Sequence, residues 1–225
     1  MGSIHVPHLP WPRRARLRRG RRGPLALAIA VLATLTVVTA VQNAADAATE
    51  APFGGTAAAV PGTVYAANYD TGGQGTAYNS PANGTANSYR SDGVDLEATA
   101  DTTNNTGAGA DDIGWTNAGQ WFKYTVNVAT AGTYSVAFRV SSPYGITDAL
   151  HIANAAGTSL TGVVAIPNTG GYQTWTTVTA SLTLPAGQQT LTVDQDSNGW
   201  NIHQMAFALS SSGGWGTCPR CSGGA

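Results

Sequence analysis

The chain has 225 residues, with 11 Lys or Arg against 12 Asp or Glu. Seven of the 11 basic residues are arginines between Arg13 and Arg22, so the chain after Ala47 carries 4 basic and 11 acidic residues, a net charge near −7. Arg90, Lys123, Arg139 and Arg220 make no basic stripe able to release counterions, which excludes a nucleic-acid partner. Its 28 glycines and scarce charges also exclude an architecture of long helices, and the length allows one domain with tails.

Residues 1–47 read as a secretory signal peptide. A basic region precedes the apolar stretch Pro24 to Val41, and a small-residue site, Ala45-Asp46-Ala47, places cleavage before Ala48. The apolar stretch is near the minimum for spanning a bilayer, but the cleavage site implies export without stable membrane insertion, to a secreted, extracellular location. Arg13-Arg14 also raises twin-arginine export, which Ala15-Arg16-Leu17 fits poorly. Residues 48–59, rich in Ala and without periodicity, read as a flexible linker.

From residue 60 to 210 short β-rich runs alternate with Gly, Asn, Asp and Pro. Thr71 to Tyr89 is polar and Gly/Asn-rich, which predicts a long loop. Tyr124, Val126 and Val128 alternate with Lys123, Thr125 and Asn127. Tyr134, Val136, Phe138 and Val140 alternate with Ser135, Ala137 and Arg139. The same period of two recurs at Leu182 and Leu184 and at Leu191 and Val193, with turn signals between the runs at Ala131-Gly132, Pro143-Tyr144-Gly145, Asn168 to Gly171 and Pro185-Ala186-Gly187. Roughly nine or ten short strands at this spacing predict an all-β fold, a single-domain antiparallel β-sandwich of jelly-roll type. Trp121, Tyr124, Tyr134, Phe138, Trp175 and Phe207 fit its core by alternation. Residues 211–225 form a Gly/Ser-rich tail with Cys218 and Cys221. That pair lacks the βαβ context of a redox motif and the extra ligands of a zinc site.

Catalytic patterns are scarce. The exported part holds His151 and His203, neither at a metal-ligand spacing, and no G-x-S-x-G turn for a nucleophile. Acidic residues cluster at Asp92, Asp95 and Glu97, at Asp111 and Asp112, and at Asp194 and Asp196, where they read as solvated loop and edge residues. Trp115 and Tyr172 differ from the core aromatics. Trp115 lies just before the turn Asn117-Ala118-Gly119 and Tyr172 directly after Gly171, positions that favour exposure. An exposed aromatic ring offers a flat apolar partner, and the CH-rich face of a pyranose is its complement.

The sequence resembles family 6 carbohydrate-binding modules from Val60 to Leu209. The resemblance is carried by Asn68-Tyr69-Asp70-Thr71-Gly72-Gly73, Tyr89 to Glu97, Ile113-Gly114-Trp115, Ala118 to Val128, Ala131 to Tyr134, Pro167 to Trp175 and Gly199-Trp200-Asn201-Ile202. It implies a β-sandwich with a glycan site in the loops at one end, where two aromatics clamp a sugar ring and an asparagine bonds its hydroxyls. Matched motif by motif, the aromatics are Trp115 and Tyr172, the asparagine is Asn201, and Glu97 is a further contact. Relatives commonly open with Ile-Glu-Ala-Glu, which holds a structural calcium together with an acid in the last strand. Here Val64-Tyr65-Ala66-Ala67 and His203 stand at those positions, so no metal or other cofactor is expected.

The function implied is a secreted, non-catalytic, monomeric module that binds a β-linked polysaccharide, β-glucan or xylan. The alternatives are a fragment or accessory part of a secreted glycoside hydrolase, and a passive cell-surface spacer.

Overall fold

The computed structural model describes residues 49–81, 89–104 and 106–210. The expected signal peptide and the Cys218–Cys221 tail lie outside the described residues. Strand-forming sequence produces β1 (Ala58–Val60), β2 (Gly62–Tyr65), β3 (Tyr78–Asn79), β4 (Leu96–Ala98), β5 (Asp111–Ile113) and β6 (Trp121–Val128). There follow β7 (Gly132–Ser141), β8 (Ile146–Asn154), β9 (Val164–Ile166), β10 (Thr176–Leu184), β11 (Gly187–Gln195) and β12 (Asn201–Leu209). One sheet runs β1-β6-β11-β8-β9, with β3 also on β6. The other runs β10-β7-β12-β5-β4, with β2 also on β12. All pairs are antiparallel except β1 with β6.

The fold is the expected β-sandwich, with its core where the alternation put it. Tyr134, Val136, Phe138 and Val140 of β7 face Tyr124, Val126, Leu191 and Val193 of the other sheet, all buried. Burying apolar side chains from both inner faces is the main stabilising contribution, roughly 1.5–3 kcal/mol for each large residue.

Several sequence expectations need correction. The described residues form twelve strands rather than nine or ten, because β1 to β5 are only two to four residues long and carry too little periodicity to read. Residues 49–59 of the expected linker are not free. Glu50 pairs with Lys123 at 2.6 Å and accepts from Thr190, Ala51 bridges to Thr71, and β1 extends the sheet along β6. The expected Thr71–Tyr89 loop contains β3 and buries Ala77 and Tyr78; residues 82–88 lie outside the described residues. Trp121 and Trp175 are half-buried, not core. Trp121 is the first residue of β6 and shares its ring with the Lys123 ammonium at 5.5 Å, and Trp175 sits just outside β10 with its indole N–H bonded to Gln173.

Buried acids were the largest misreading. Asp95 and Asp112 are buried rather than solvated, and so are Asp70 and Asp101. Asp70 shows why the fold accepts them. β1 and β3 share one edge of β6 and leave a gap at Thr125, where the Asp70 carboxylate accepts from the Thr125 N–H at 2.9 Å and its hydroxyl at 2.6 Å. A side chain thus satisfies backbone that no strand reaches.

The bulge in β12 matters for the site. Ile202 opposes Val140 and Gln204 opposes Arg139, so His203 is the extra residue. This resets the alternation, keeping Ile202, Met205 and Phe207 in the core. β12 begins at Asn201, opposite Ser141, and ends at Leu209, opposite Tyr134, so it runs away from the end that carries the loops described next.

Candidate functional site

The loops β5–β6, β7–β8, β9–β10 and β11–β12 meet at one end of the sandwich, as the pairing of Asn201 with Ser141 and of Thr176 with Val140 requires. Between them lies a cleft of about 570 Å³ lined by Glu97, Trp115, Thr116, Asn117, Tyr172, Gln173, Asn198, Gly199 and Asn201. All four residues expected from sequence, Trp115, Tyr172, Asn201 and Glu97, are among them. Trp115 and Tyr172 are 47% and 43% exposed, whereas the core aromatics Tyr69, Phe122, Tyr124, Tyr134, Phe138 and Trp200 are buried.

Trp115 holds a backbone conformation that its residue type disfavours. Its φ of 48° lies in the left-handed region, at a cost of about 1–3 kcal/mol for a bulky side chain. Neighbouring bonds hold it there. Asn117 Nδ2 donates to the Trp115 carbonyl at 2.9 Å, and the Asn117 N–H donates to Gln120 Oε1 at 2.8 Å. The Ala118 N–H reaches across to Asn198 Oδ1 at 2.7 Å. Thr116 Oγ1 donates to the Trp200 carbonyl at 2.5 Å and accepts from the Trp200 N–H at 3.0 Å, joining the β5–β6 loop to β12's entry. Trp200 itself is fully buried beneath the cleft.

On the opposite side, Tyr172 is fixed through its carbonyl, which accepts from the Ser141 hydroxyl and from Asn201 Nδ2, the latter at 3.1 Å. Asn201 is 2% exposed. Its Nδ2 also faces Glu97 Oε1 at 2.8 Å and Asp112 Oδ1 at 3.3 Å, three acceptors that fix the amide's orientation. Both N–H groups are therefore spent within the protein, and Oδ1 is what Asn201 has left to offer: an acceptor, rather than the donor and acceptor together that the residue type suggests. Gly114 leaves room for this arrangement. A Cβ there would stand 3.2 Å from Glu97 Oε1 and 3.4 Å from Asn201 Oδ1.

Asp112 lies directly across the strand pair from Glu97, sealed from solvent. Burial pushes its carboxyl up to about 7; the hydrogen bond from Gln173 opposes this and the neighbouring Glu97 carboxylate adds to it. Gln173 Nε2 donates to Asp112 at 2.9 Å while its Oε1 accepts from the Ala100 N–H and the Trp175 indole, so it too is positioned by the protein. Of the paired acids, only Glu97 borders the cleft.

Sequence reasoning missed Gln173, Asn198, Thr116, Asn117 and Gly199. Their signal was available only as proximity in sequence to Trp115, Tyr172 and Asn201. It also passed over Tyr144, read merely as part of a turn, which is 59% exposed beside Tyr172. His151 bonds Asp196 at 2.8 Å and lies 3.4 Å from Asp194, away from the cleft.

The residues at the calcium position of relatives do not suit that ion. His203 Nδ1 is 2.9 Å from Asp101 and its Nε2 2.9 Å from the Gly109 carbonyl, while Arg139 grips both Asp101 oxygens at 2.8 and 2.9 Å. The rings of Tyr65 and Trp175 close over the imidazole at 6.1 and 5.8 Å. A guanidinium, an imidazole and two aromatic rings are not the hard oxygen shell that calcium takes. Among the described residues no cluster of three or more His, Cys, Asp or Glu could hold a metal ion.

Known proteins resemble this chain in sequence and fold. The model of the family described as Carbohydrate binding module (family 6) matches residues 85–208, more than half of the chain. The solved carbohydrate-binding module of Cellvibrio mixtus lichenase 5A, in complex with cellotriose, is 27% identical with a TM-score of 0.51, over 67% of this chain and 98% of that one. A β-1,3-glucan-binding module from Bacillus halodurans is 24% identical with a TM-score of 0.52, over 68% and 100%. The clotting factor G alpha subunit of Tachypleus tridentatus is 30% identical over 116 residues, 51% of this chain and 16% of that protein. With the family model matched over most of the sandwich, this chain belongs to family 6 of the carbohydrate-binding modules.

Proposed function

We propose that this chain is a secreted module that binds a neutral β-linked polysaccharide, a β-glucan or xylan, by holding one sugar ring between Trp115 and Tyr172 without turning it over. The observation that carries this reading is the convergence of the two exposed rings on one cleft with Asn201 and Glu97 at its base. The rings present apolar faces to the axial C–H groups, while Asn201 Oδ1 and the Glu97 carboxylate accept from sugar hydroxyls. Each stacking contact and each hydrogen bond contributes about 1 kcal/mol, and with a few neighbouring contacts the sum is roughly 4–6 kcal/mol. Dissociation constants of about 1 mM down to tens of micromolar follow. The Cellvibrio mixtus module solved with cellotriose supports a β-glucan ligand.

Hydrolysis would need two carboxyl groups facing each other across the sugar. Asp112 is sealed behind Asn201, which leaves Glu97 without that partner in the cleft. Affinity electrophoresis against laminarin, xylan and soluble cellulose, with starch as control, tests the reading. Retardation by a β-linked polysaccharide, lost in Trp115→Ala and in Tyr172→Ala, is expected, with no new reducing ends. Retardation that survives both substitutions would refute it.

A further inference from the structure

We propose that the Trp115–Tyr172 cleft takes amino sugars as well as neutral ones, and holds a β-linked glucosamine chain more tightly than the matching glucan because Glu97 accepts from the ammonium group. This rests on the functional reading above and adds a cationic ligand class to it.

The balance of hydrogen-bonding groups at the base of the cleft points to a cation. A sugar hydroxyl both donates and accepts, and a site matched to it offers both kinds of partner. Here the donors are already committed. Both Asn201 N–H groups face Glu97, Asp112 and the Tyr172 carbonyl, which leaves Oδ1. Gln173 Nε2 donates to Asp112, Thr116 Oγ1 to the Trp200 carbonyl and Asn117 Nδ2 to the Trp115 carbonyl. The side-chain donors that remain, Asn198 Nδ2, the Trp115 indole and the Tyr172 hydroxyl, belong to exposed residues. Glu97 is half-buried; its Oε1 accepts from Asn201, and its Oε2 accepts no hydrogen bond among the described residues. The base therefore presents acceptors, Asn201 Oδ1 and Glu97 Oε2, and an ammonium group is donors alone.

The charges have the same sense. A neutral ring laid over Glu97 strips water from a carboxylate and returns only a hydroxyl hydrogen bond, whereas an ammonium returns a charge-assisted one. The π faces of Trp115 and Tyr172 are themselves negative and attract a cation placed against them. Behind Glu97 a second acid, Asp112, is bonded to the same Asn201 nitrogen, and a cation in the cleft favours its ionised form. Among the described residues no Lys, Arg or His lines the cleft to oppose this. The chain after Ala47, with 4 basic and 11 acidic residues, also draws a polycation toward it at long range.

Calorimetric titration of the purified chain at about pH 6, where an amine is protonated, tests this with three β-1,4-linked disaccharides that differ only at C2. Cellobiose carries hydroxyls there, the glucosamine dimer ammonium groups, and the N-acetylated dimer neutral amides. The glucosamine dimer should bind about tenfold more tightly than cellobiose, and the N-acetylated dimer no more tightly than cellobiose. Raising the salt from about 0.05 to about 0.5 M should weaken the glucosamine dimer and leave cellobiose unchanged. Glu97→Gln should remove both the preference and its salt dependence, and Trp115→Ala should weaken every sugar. Glutamine keeps an oxygen to accept from Asn201 Nδ2, so the variant should fold, which its melting temperature reports; the salt series on the wild type does not depend on it. A glucosamine dimer that binds no more tightly than cellobiose or the N-acetylated dimer, or a preference that survives in Glu97→Gln, would overturn the cationic ligand while leaving the neutral one standing. A chain that binds none of the three would overturn it as well, and electrophoresis against laminarin and xylan then decides whether the Trp115–Tyr172 site itself stands.

Discussion

Asp112, behind the cleft, is a buried carboxyl that titrates near neutral pH. Its carboxyl is pushed up to about 7 by burial, with Glu97 adding to the effect. In the unfolded chain it ionises near the ordinary carboxylate value, so between pH 4 and 7 the folded state keeps a proton that the unfolded state has lost. Stability from this residue therefore declines as pH rises through that window and is level above it. Melting curves of wild type and Asp112→Asn from pH 4 to 8 check this: the variant should gain on the wild type up to about pH 7 and hold a constant difference beyond. Trp115 makes a second residue-scale prediction. Because its φ is 48°, Trp115→Gly should be more stable than Trp115→Ala by about 1 kcal/mol in denaturant melts, although both lose the stacking face.

At the scale of the element, the β12 bulge places His203 where it meets Asp101, and Asp101 meets Arg139 of the neighbouring β7. Burial alone would raise the Asp101 carboxyl, but hydrogen bonds from Arg139 and His203 outweigh it and hold it at about 2. Its contribution is fully present above the ordinary carboxylate value and is lost as pH falls from about 4 toward 2. Asp101→Asn should therefore destabilise the module at neutral pH and flatten the acid limb of its stability curve, as urea melts at pH 7, 4 and 2.5 will show. The long strands were readable in the sequence because β7 and β11 each have one face inward, and a period of two is visible over nine or ten residues. The short strands and the buried acids were not readable. Asp70 fills a gap in the β6 edge that exists only once β1 and β3 have docked, and Asp112 is buried because Gln173 and Asn201 arrive from 61 and 89 residues away. The cleft was legible in part. Trp115, Tyr172, Asn201 and Glu97 stand in recognisable motifs, whereas Tyr144 becomes notable only when the β7–β8 turn is seen against Tyr172.

For the molecule as a whole, charge is concentrated away from ligand recognition. The cleft is lined by one acid, Glu97, and by no Lys or Arg. Binding by stacking and hydrogen bonds to a neutral chain has little long-range charge to screen, so retardation in affinity gels should be unchanged between about 0.05 and about 0.5 M salt. A polyanionic polysaccharide would face Glu97 directly and should not be retained. The direction of β12 has a consequence for reach. It starts in the cleft at Asn201 and ends at Leu209, nine residues in all, and Ser210 then bonds to Thr133 at the other end of the sandwich. At about 3.3 Å per residue, roughly 30 Å separates the proposed sugar site from the point where the chain leaves the last strand. In the proposed mode of binding, the end of the sandwich that carries Leu209 and Ser210 therefore stays clear of the polysaccharide surface.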